Sequence, residues 1–408
     1  MKILVSDYIY VSGEFLKHKA VAFSDVIEEI NSVDALRQKY PQATLIETPP
    51  HSVLYPGFIN SHVHLEFSAN KTALKYGDFM PWLDSVIRYR DDLVGCCDNV
   101  MMLEACRTML ASGISTFGAI SSFGNELGVC EKTPQRVVFF NELIGSNAMY
   151  VDMLYNDFMQ RVDASMSCKK TSLITAAIAI HAPYSVHPIV LQKAVGVAKK
   201  HKLPLSAHFL ESHAEREWLV HASGPFKDFF EQHFKTSTPV TNIKEFMHSF
   251  DTYPTHFTHA VQANKEELSY LASKGHSIAH CPRSNRYLGC GRLAIETLRE
   301  LNMPYTVATD GLSSNDSLNI FDELRATLML HHQAPLAKLA HTLMASVTSD
   351  AADILGLDTG RIETGKLADF AIVTLNEIPK REEEIALWTI LHTQNVAALF
   401  INGEEVTL

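Results

Sequence analysis

The chain lacks what several large protein classes require. No apolar run approaches the roughly 18 residues of a membrane-spanning helix. The opening segment MKILVSDYIYVSGE has no apolar stretch of the signal-peptide kind. Positive charge is in deficit: 35 Lys and Arg stand against 46 Asp and Glu, for a net charge of -11. With no cluster of bases, that balance disfavours nucleic acid and anionic membranes as partners. Cysteine is sparse and unpatterned. Cys96, Cys97, Cys106, Cys130, Cys168, Cys281 and Cys290 are odd in number and form no Cys-x-x-Cys, so free thiols in a reducing, cytoplasmic setting are expected rather than a disulfide scaffold. His-Glu-x-x-His, Gly-x-Ser-x-Gly, a Walker loop and the Pro-Cys-x-x-Cys of one zinc deaminase class are all absent. Residues 289–294 fit G-x-G-x-x-A, but polar, turn-like residues precede them where a dinucleotide site needs a buried strand. Internal repeats and low-complexity runs are missing too.

What is present is enough for a large core. The chain has 408 residues, of which 46% are hydrophobic, and this length suggests about two or three domains. The ends read as short strands: Ile3-Leu4-Val5, Tyr8–Val11 and Val21-Ala22-Phe23 at one, residues 368–373 and 398–401 at the other. Neither end is large enough to bury a core alone. We therefore expect residues 1–52 and 357–408 to form one small composite β-sandwich domain.

Between the ends, strand-like and helix-like segments alternate. Val53–Tyr55 with Phe58-Ile59 reads as a first buried strand. Strands follow at 114–117, 137–140, 173–180, 205–208, 256–259, 277–280 and 305–309, with helical patterns such as 100–111, 189–201, 265–274 and 294–301 between them. Eight such units argue for an α/β fold, a (β/α)8 TIM-type barrel over residues 53–356, with its active site at the C-terminal strand ends. An open doubly wound sheet is the alternative. The segment 210–252 is longer than a normal crossover and should carry an extra helix or a lid.

Ionisable residues recur where these strands stop. The first ends at His62 and His64, the fourth at His181, the fifth at His208 and Glu211, the sixth at His259, the seventh at His280, the eighth at Asp310. Residues i and i+2 on a strand share a face, so His62 and His64 point the same way. In a barrel these ends converge. His62, His64, His208 and Asp310 then suit one divalent ion, Zn2+ first and Fe2+ second. A bridging lysine for a second ion is missing from 173–180. Glu211, three residues after His208, is placed to pass protons, and His259 to hydrogen-bond the attacking water. Taken singly, each residue also reads as an ordinary core histidine, a solvated acid or an Asp-Gly turn. The set is harder to dismiss.

Taken together, His62-Val63-His64, His208-Phe209-Leu210-Glu211, His259 and Thr309-Asp310-Gly311 resemble the amidohydrolase superfamily, in its single-metal deaminase and chlorohydrolase branch. The run 360–369, GRIETGKLAD, resembles that branch's return into its composite β-domain. Residues 181–186 (HAPYSV), 208–212 (HFLES), 281–286 (CPRSNR) and 308–315 (ATDGLSSN) are more closely similar to the aminofutalosine deaminases. The resemblance implies hydrolysis of the adenine amino group of 6-amino-6-deoxyfutalosine, in the futalosine route to menaquinone. In that chemistry Glu211 protonates a ring nitrogen, Asp310 takes a proton from water and His259 steadies it. His181, Tyr184, Trp82 and Glu142 are implied contacts to the nucleoside. Related deaminases place an arginine on the third strand for an amino-acid carboxylate; here Asn141-Glu142 stand there, leaving Arg283 or Arg286 as candidates for a substrate carboxylate. The branch often forms homodimers. Other readings are a deaminase of adenosine, methylthioadenosine, adenosylhomocysteine or guanine, a hydrolytic dehalogenase, or an inactive barrel acting as a binding protein.

Overall fold

The computed structural model describes residues 1–168 and 173–408. Its centre is an eight-stranded sheet of consecutive parallel neighbours: β1 (Phe58–Val63), β2 (Ile114–Ser121), β3 (Arg136–Leu143), β4 (Ile174–Ile180), β5 (Leu205–Phe209), β6 (His256–His259), β7 (Ser277–His280) and β8 (Tyr305–Val307). Helices such as Asn99–Ala111, Pro188–His201, Lys265–Ser273 and Ile295–Glu300 connect them. Each helix hides an apolar stripe against the sheet, which is why its apolar residues recur every three or four positions.

The sheet curls until its edges meet. Beyond β8, the Asp310 N–H donates to the His62 carbonyl at 3.1 Å. Asn60 closes the same seam with its side chain: Oδ1 accepts from the Thr309 N–H (3.1 Å) and Nδ2 donates to Thr309 Oγ1 (2.7 Å). Below the seam the barrel's interior is polar. Ser61 and Thr306 hydroxyls lie 2.6 Å apart, and His256 Nε2 sits 3.1 Å from Thr306 Oγ1. Such a buried network stands because its members satisfy one another. β1 must run very close to β2: a Cβ on Gly118 would lie 2.3 Å from the Ser61 carbonyl oxygen, so only glycine fits.

Both chain ends build the remaining sheets. A six-stranded sheet takes Glu404–Val406, Ala398–Ile401, Phe370–Thr374, Ser52–Pro56, Tyr8–Val11 and Glu14–Lys17, in that order. A four-stranded sheet orders Ile27–Asn31, Ala20–Phe23, Lys2–Val5 and Thr44–Glu47. Leu4, Ile9, Phe23, Leu54, Phe370 and Phe400 are buried together between the two. The first strand departs from the sequence reading. Ser52–Pro56 is no part of the barrel; it pairs antiparallel with Phe370–Thr374 and parallel with Tyr8-Ile9. Only Gly57 separates it from β1. Both strands are buried throughout, so hydrophobic periodicity carries no break to read. The 210–252 segment holds three helices rather than one: His213–His221, Pro225–Phe234 and Ile243–His248. None of the described helices is long and apolar enough to cross a membrane.

Candidate metal centre and active site

The C-terminal ends of the strands meet over the barrel mouth. His62 closes β1 and His64 follows it; their ring centroids are 5.1 Å apart. His208 on β5 lies 4.9 Å from the His62 ring and 5.6 Å, stacked, from the His64 ring. One nitrogen from each of the three gathers within 4.8 Å of the others. Asp310, just past β8, brings Oδ1 to 3.8 Å from both His62 Nε2 and His64 Nε2. The four residues named as ligands from sequence thus share one rim.

These donors fit a divalent first-row ion. His208 Nδ1 is 2.7 Å from the His181 carbonyl, so it carries the proton and leaves Nε2 as a bare lone pair. His62 Nε2 is buried without a protein hydrogen-bond partner. Burial, with His208 and His64 beside it, depresses His62 well below the ordinary histidine range; burial likewise takes His208 down to about 3, against a partial opposing pull from Glu142. Neutral imidazoles with unshared lone pairs in a dry site are poor neighbours for one another and good ones for a cation. β4 reads ITAAIAI and offers no bridging lysine, so the centre suits a single ion.

The carboxylates differ in setting. Asp310 Oδ2 accepts from Ser284 Oγ (2.7 Å) and Ser314 Oγ (2.9 Å), while Oδ1 accepts from the Gly311 N–H (2.8 Å). Burial alone would raise its pKa; His64, His259 and the Ser284 hydroxyl outweigh that and hold it below the usual carboxylate range. Glu211 has no such support. Burial, reinforced by Asp310 and Glu215, pushes its carboxyl well up, so it stays protonated where an ordinary glutamate is ionised. Its place is set by Glu215, which accepts from the Leu210 and Glu211 N–H groups at 3.0 and 2.8 Å. Ser212 then caps the following helix. His259 turns Nδ1 to Asn285 Oδ1 (2.9 Å) and Nε2 to Glu211 Oε1 (3.6 Å). Leu210, His259 and Asp310 all hold positive φ, at 45°, 71° and 58°. Strain of that kind in non-glycine residues concentrates at functional sites.

A cavity of about 730 Å³ opens from this centre. All four side chains named as nucleoside contacts, His181, Tyr184, Trp82 and Glu142, line it beside His64, His208, Glu211, His259 and Asp310. Trp82 is pinned by its indole N–H to the Ser313 carbonyl (2.9 Å), and Tyr184 packs on Phe226. Glu142 faces inward, with Ser122 Oγ donating to it (2.7 Å) and His208 Nδ1 3.5 Å away. Asn141, one residue earlier, bonds to Ser165 behind the strand, as alternation requires. Arg283 and Arg286 are absent from the lining. Of the two arginines left as candidates for a substrate carboxylate, Arg283 is already taken up by Asp316, Asp322 and Glu323. Ser284, Ser314, Asn285 and Glu215, which hold the catalytic candidates in place, were not singled out. Their signal in the sequence is no role of their own but membership of the runs 281–286 and 308–315 or, for Glu215, nearness to the end of β5.

Residues 53–406 match the family model described as the amidohydrolase family. Over 405 residues, 99% of each chain, the protein is 43% identical to an aminodeoxyfutalosine deaminase of a Nitratiruptor species. It is 36% identical over 402 residues, 96% of each, to an adenosine deaminase of Helicobacter pylori. Among solved structures, the aminofutalosine deaminase of Helicobacter pylori in complex with methylthio-coformycin superposes with a TM-score of 0.95 at 34% identity, covering all of both chains.

Proposed function

The chain belongs to the amidohydrolase family, and from that premise we propose that it is a hydrolytic deaminase of an adenine-containing nucleoside, converting 6-amino-6-deoxyfutalosine to futalosine and ammonia. The observation that carries this reading is the meeting of three imidazole nitrogens within 4.8 Å with Asp310 and Glu211 over one cavity. Full-length similarity to an aminodeoxyfutalosine deaminase supports the substrate.

His62, His64, His208 and Asp310 would hold one divalent ion, Zn2+ or Fe2+, whose Lewis acidity makes water a nucleophile near neutral pH. The remaining steps belong to the chain's own groups. Asp310, ionised and held by two serine hydroxyls, accepts a proton from the attacking water. His259, whose Nδ1–H is given to Asn285, offers Nε2 to the water's second O–H and fixes its direction. Glu211, kept protonated by burial, donates to N1 of the adenine ring and makes C6 electrophilic. The C6–O bond forms. The proton on Asp310 then passes to the amine, the C6–N bond breaks, and ammonia leaves. The C6 hydroxyl proton returns to Glu211, which restores both carboxyl groups. His181, Tyr184, Trp82 and Glu142 position the nucleoside.

The test is metal analysis of purified protein together with ammonia release from 6-amino-6-deoxyfutalosine and adenosine. One ion per chain and preferential turnover of the former are expected. Glu211→Gln should retain the ion and lose roughly 100-fold or more in turnover. Near-normal turnover by that variant would remove Glu211 from the proton path.

A further inference from the structure

The cavity of about 730 Å³ has room for more than a purine ribonucleoside, and two helices shape the part away from the metal centre. On the Phe79–Cys96 helix, Phe79, Trp82, Leu83, Val86, Ile87 and Arg90 all line it. Their spacing is one helical stripe, and its last member is a cation. On the Pro225–Phe234 helix the lining residues are Phe229, Phe230, His233 and Phe234, with Lys235 directly after. The two helices touch through Phe79 and Phe226, whose rings lie 6.1 Å apart, and through His233 and Asp84 at 3.8 Å. Two apolar walls therefore line the cavity, one carrying Phe79 and Trp82 followed by Leu83, Val86 and Ile87, the other built of aromatic rings, and each ends in a base.

Among the described residues, four basic groups line the cavity away from the metal centre: Arg90, Arg161, His233 and Lys235. Arg161 is spent on Asp157 and on the Ser121 and Glu142 carbonyls. His233 faces Asp84. Arg90 meets only the side chain of Asp91, its neighbour in sequence, which is 89% exposed; Lys235 gives its ammonium to the Gln232 carbonyl at the surface. Exposed pairs of this sort hold a charge weakly, so both cations are open to a ligand.

We propose that Arg90 and Lys235 form an anion clamp at the outer end of the cavity, selecting nucleosides whose substituent far from the purine is an aromatic ring bearing a carboxylate. The apolar walls take the ring and the two cations take the carboxylate. This assignment replaces Arg283 and Arg286, and it rests on the deaminase reading above.

The experiment compares 6-amino-6-deoxyfutalosine with its methyl ester, identical but for the charge, on the wild-type chain and on Arg90→Ala, Lys235→Ala and the double variant. Wild type should prefer the acid by about tenfold or more in kcat/KM, mainly through KM, and the preference should shrink as salt is added. The double variant should bring the ratio near one, and Arg90→Lys should restore part of it. Equal use of acid and ester by wild type would overturn the clamp and leave the deaminase reading standing, as would a ratio unmoved in a folded double variant. Ammonia release from neither compound nor from adenosine would sink the deaminase reading, and the clamp with it.

Discussion

Asp310 shows how much a single side chain depends on neighbours that do no chemistry. Its two oxygens take three hydrogen bonds, from Ser284, Ser314 and the Gly311 N–H. The proposed proton transfer needs that carboxylate in one orientation, and losing a hydroxyl frees it to rotate. Replacing both Ser284 and Ser314 by Ala should cost roughly 10- to 100-fold in metal affinity or turnover, as loss of groups behind a metal ligand commonly does. Metal titration beside steady-state kinetics checks this; wild-type values in both would show that the Gly311 N–H suffices. The division of labour was only half legible beforehand. His62, His64, His208, Glu211 and Asp310 announce themselves because an ionisable group after an apolar strand is unusual. Ser284 and Ser314 do not, because a serine in a polar loop is common and only its distance to Asp310 gives it a role. Arg283 stood as a candidate for the converse reason: its charge is visible in the sequence, and the three carboxylates that pair with it are not.

At the level of strands and helices, the alternation of buried strand and amphipathic helix was readable because each unit repeats the same burial problem. The junction at Gly57 was not, since two adjacent strands that are both buried leave no polar signal between them. Closure of the barrel imposes a contact that sequence cannot show: past β8 the backbone lies against His64. A Cβ added to Gly311 would sit 2.8 Å from both the Cβ and the carbonyl oxygen of His64. Backbone on both sides leaves little room to yield. Gly311→Ala should therefore displace His64, lower bound metal per chain, and destabilise the fold by about 1–3 kcal/mol. Gly196, exposed within the Pro188–His201 helix and with open space around its Cβ position, is the contrast. There Ala should stabilise by about 0.5–1 kcal/mol through helix propensity. Denaturant unfolding of the two variants should give opposite signs; a stabilised Gly311→Ala would mean that β1 and β8 separate more easily than their seam of hydrogen bonds suggests.

For the molecule as a whole, the interior histidines couple stability to pH. The chain has twenty histidines; several have no part in the metal centre, and composition could not separate the two groups. His256 and His280, buried in the barrel, are held down to about 3, and His276 to about 4, with desolvation as the leading cause. His276 lies away from the mouth, at the start of β7, where Nδ1 accepts the Thr255 N–H at 3.0 Å. In the unfolded chain its value returns to about 6.5. Above that pH both states are neutral and the full contribution is present. Below it the unfolded chain binds a proton that the folded chain refuses, so stability is lost as pH falls from about 6.5 towards about 4, by on the order of 3 kcal/mol for this one residue. Glu323 works in the other direction. Burial, partly offset by Arg283 and Asn315, raises it to about 8, so its contribution is present at low pH and is lost as pH climbs through that value. Because these limbs overlap, the wild-type profile alone does not isolate either. A difference does: His276→Gln cannot titrate, whereas Glu323 and the metal-site groups are common to both proteins. Unfolding free energies at pH 8, 6.5, 5 and 4 should show the variant weaker at pH 8, through a poorer partner for Thr255, and the gap narrowing as pH drops. A gap independent of pH would mean that His276 is protonated inside the folded protein, and that the base of the barrel is wetter than its burial implies.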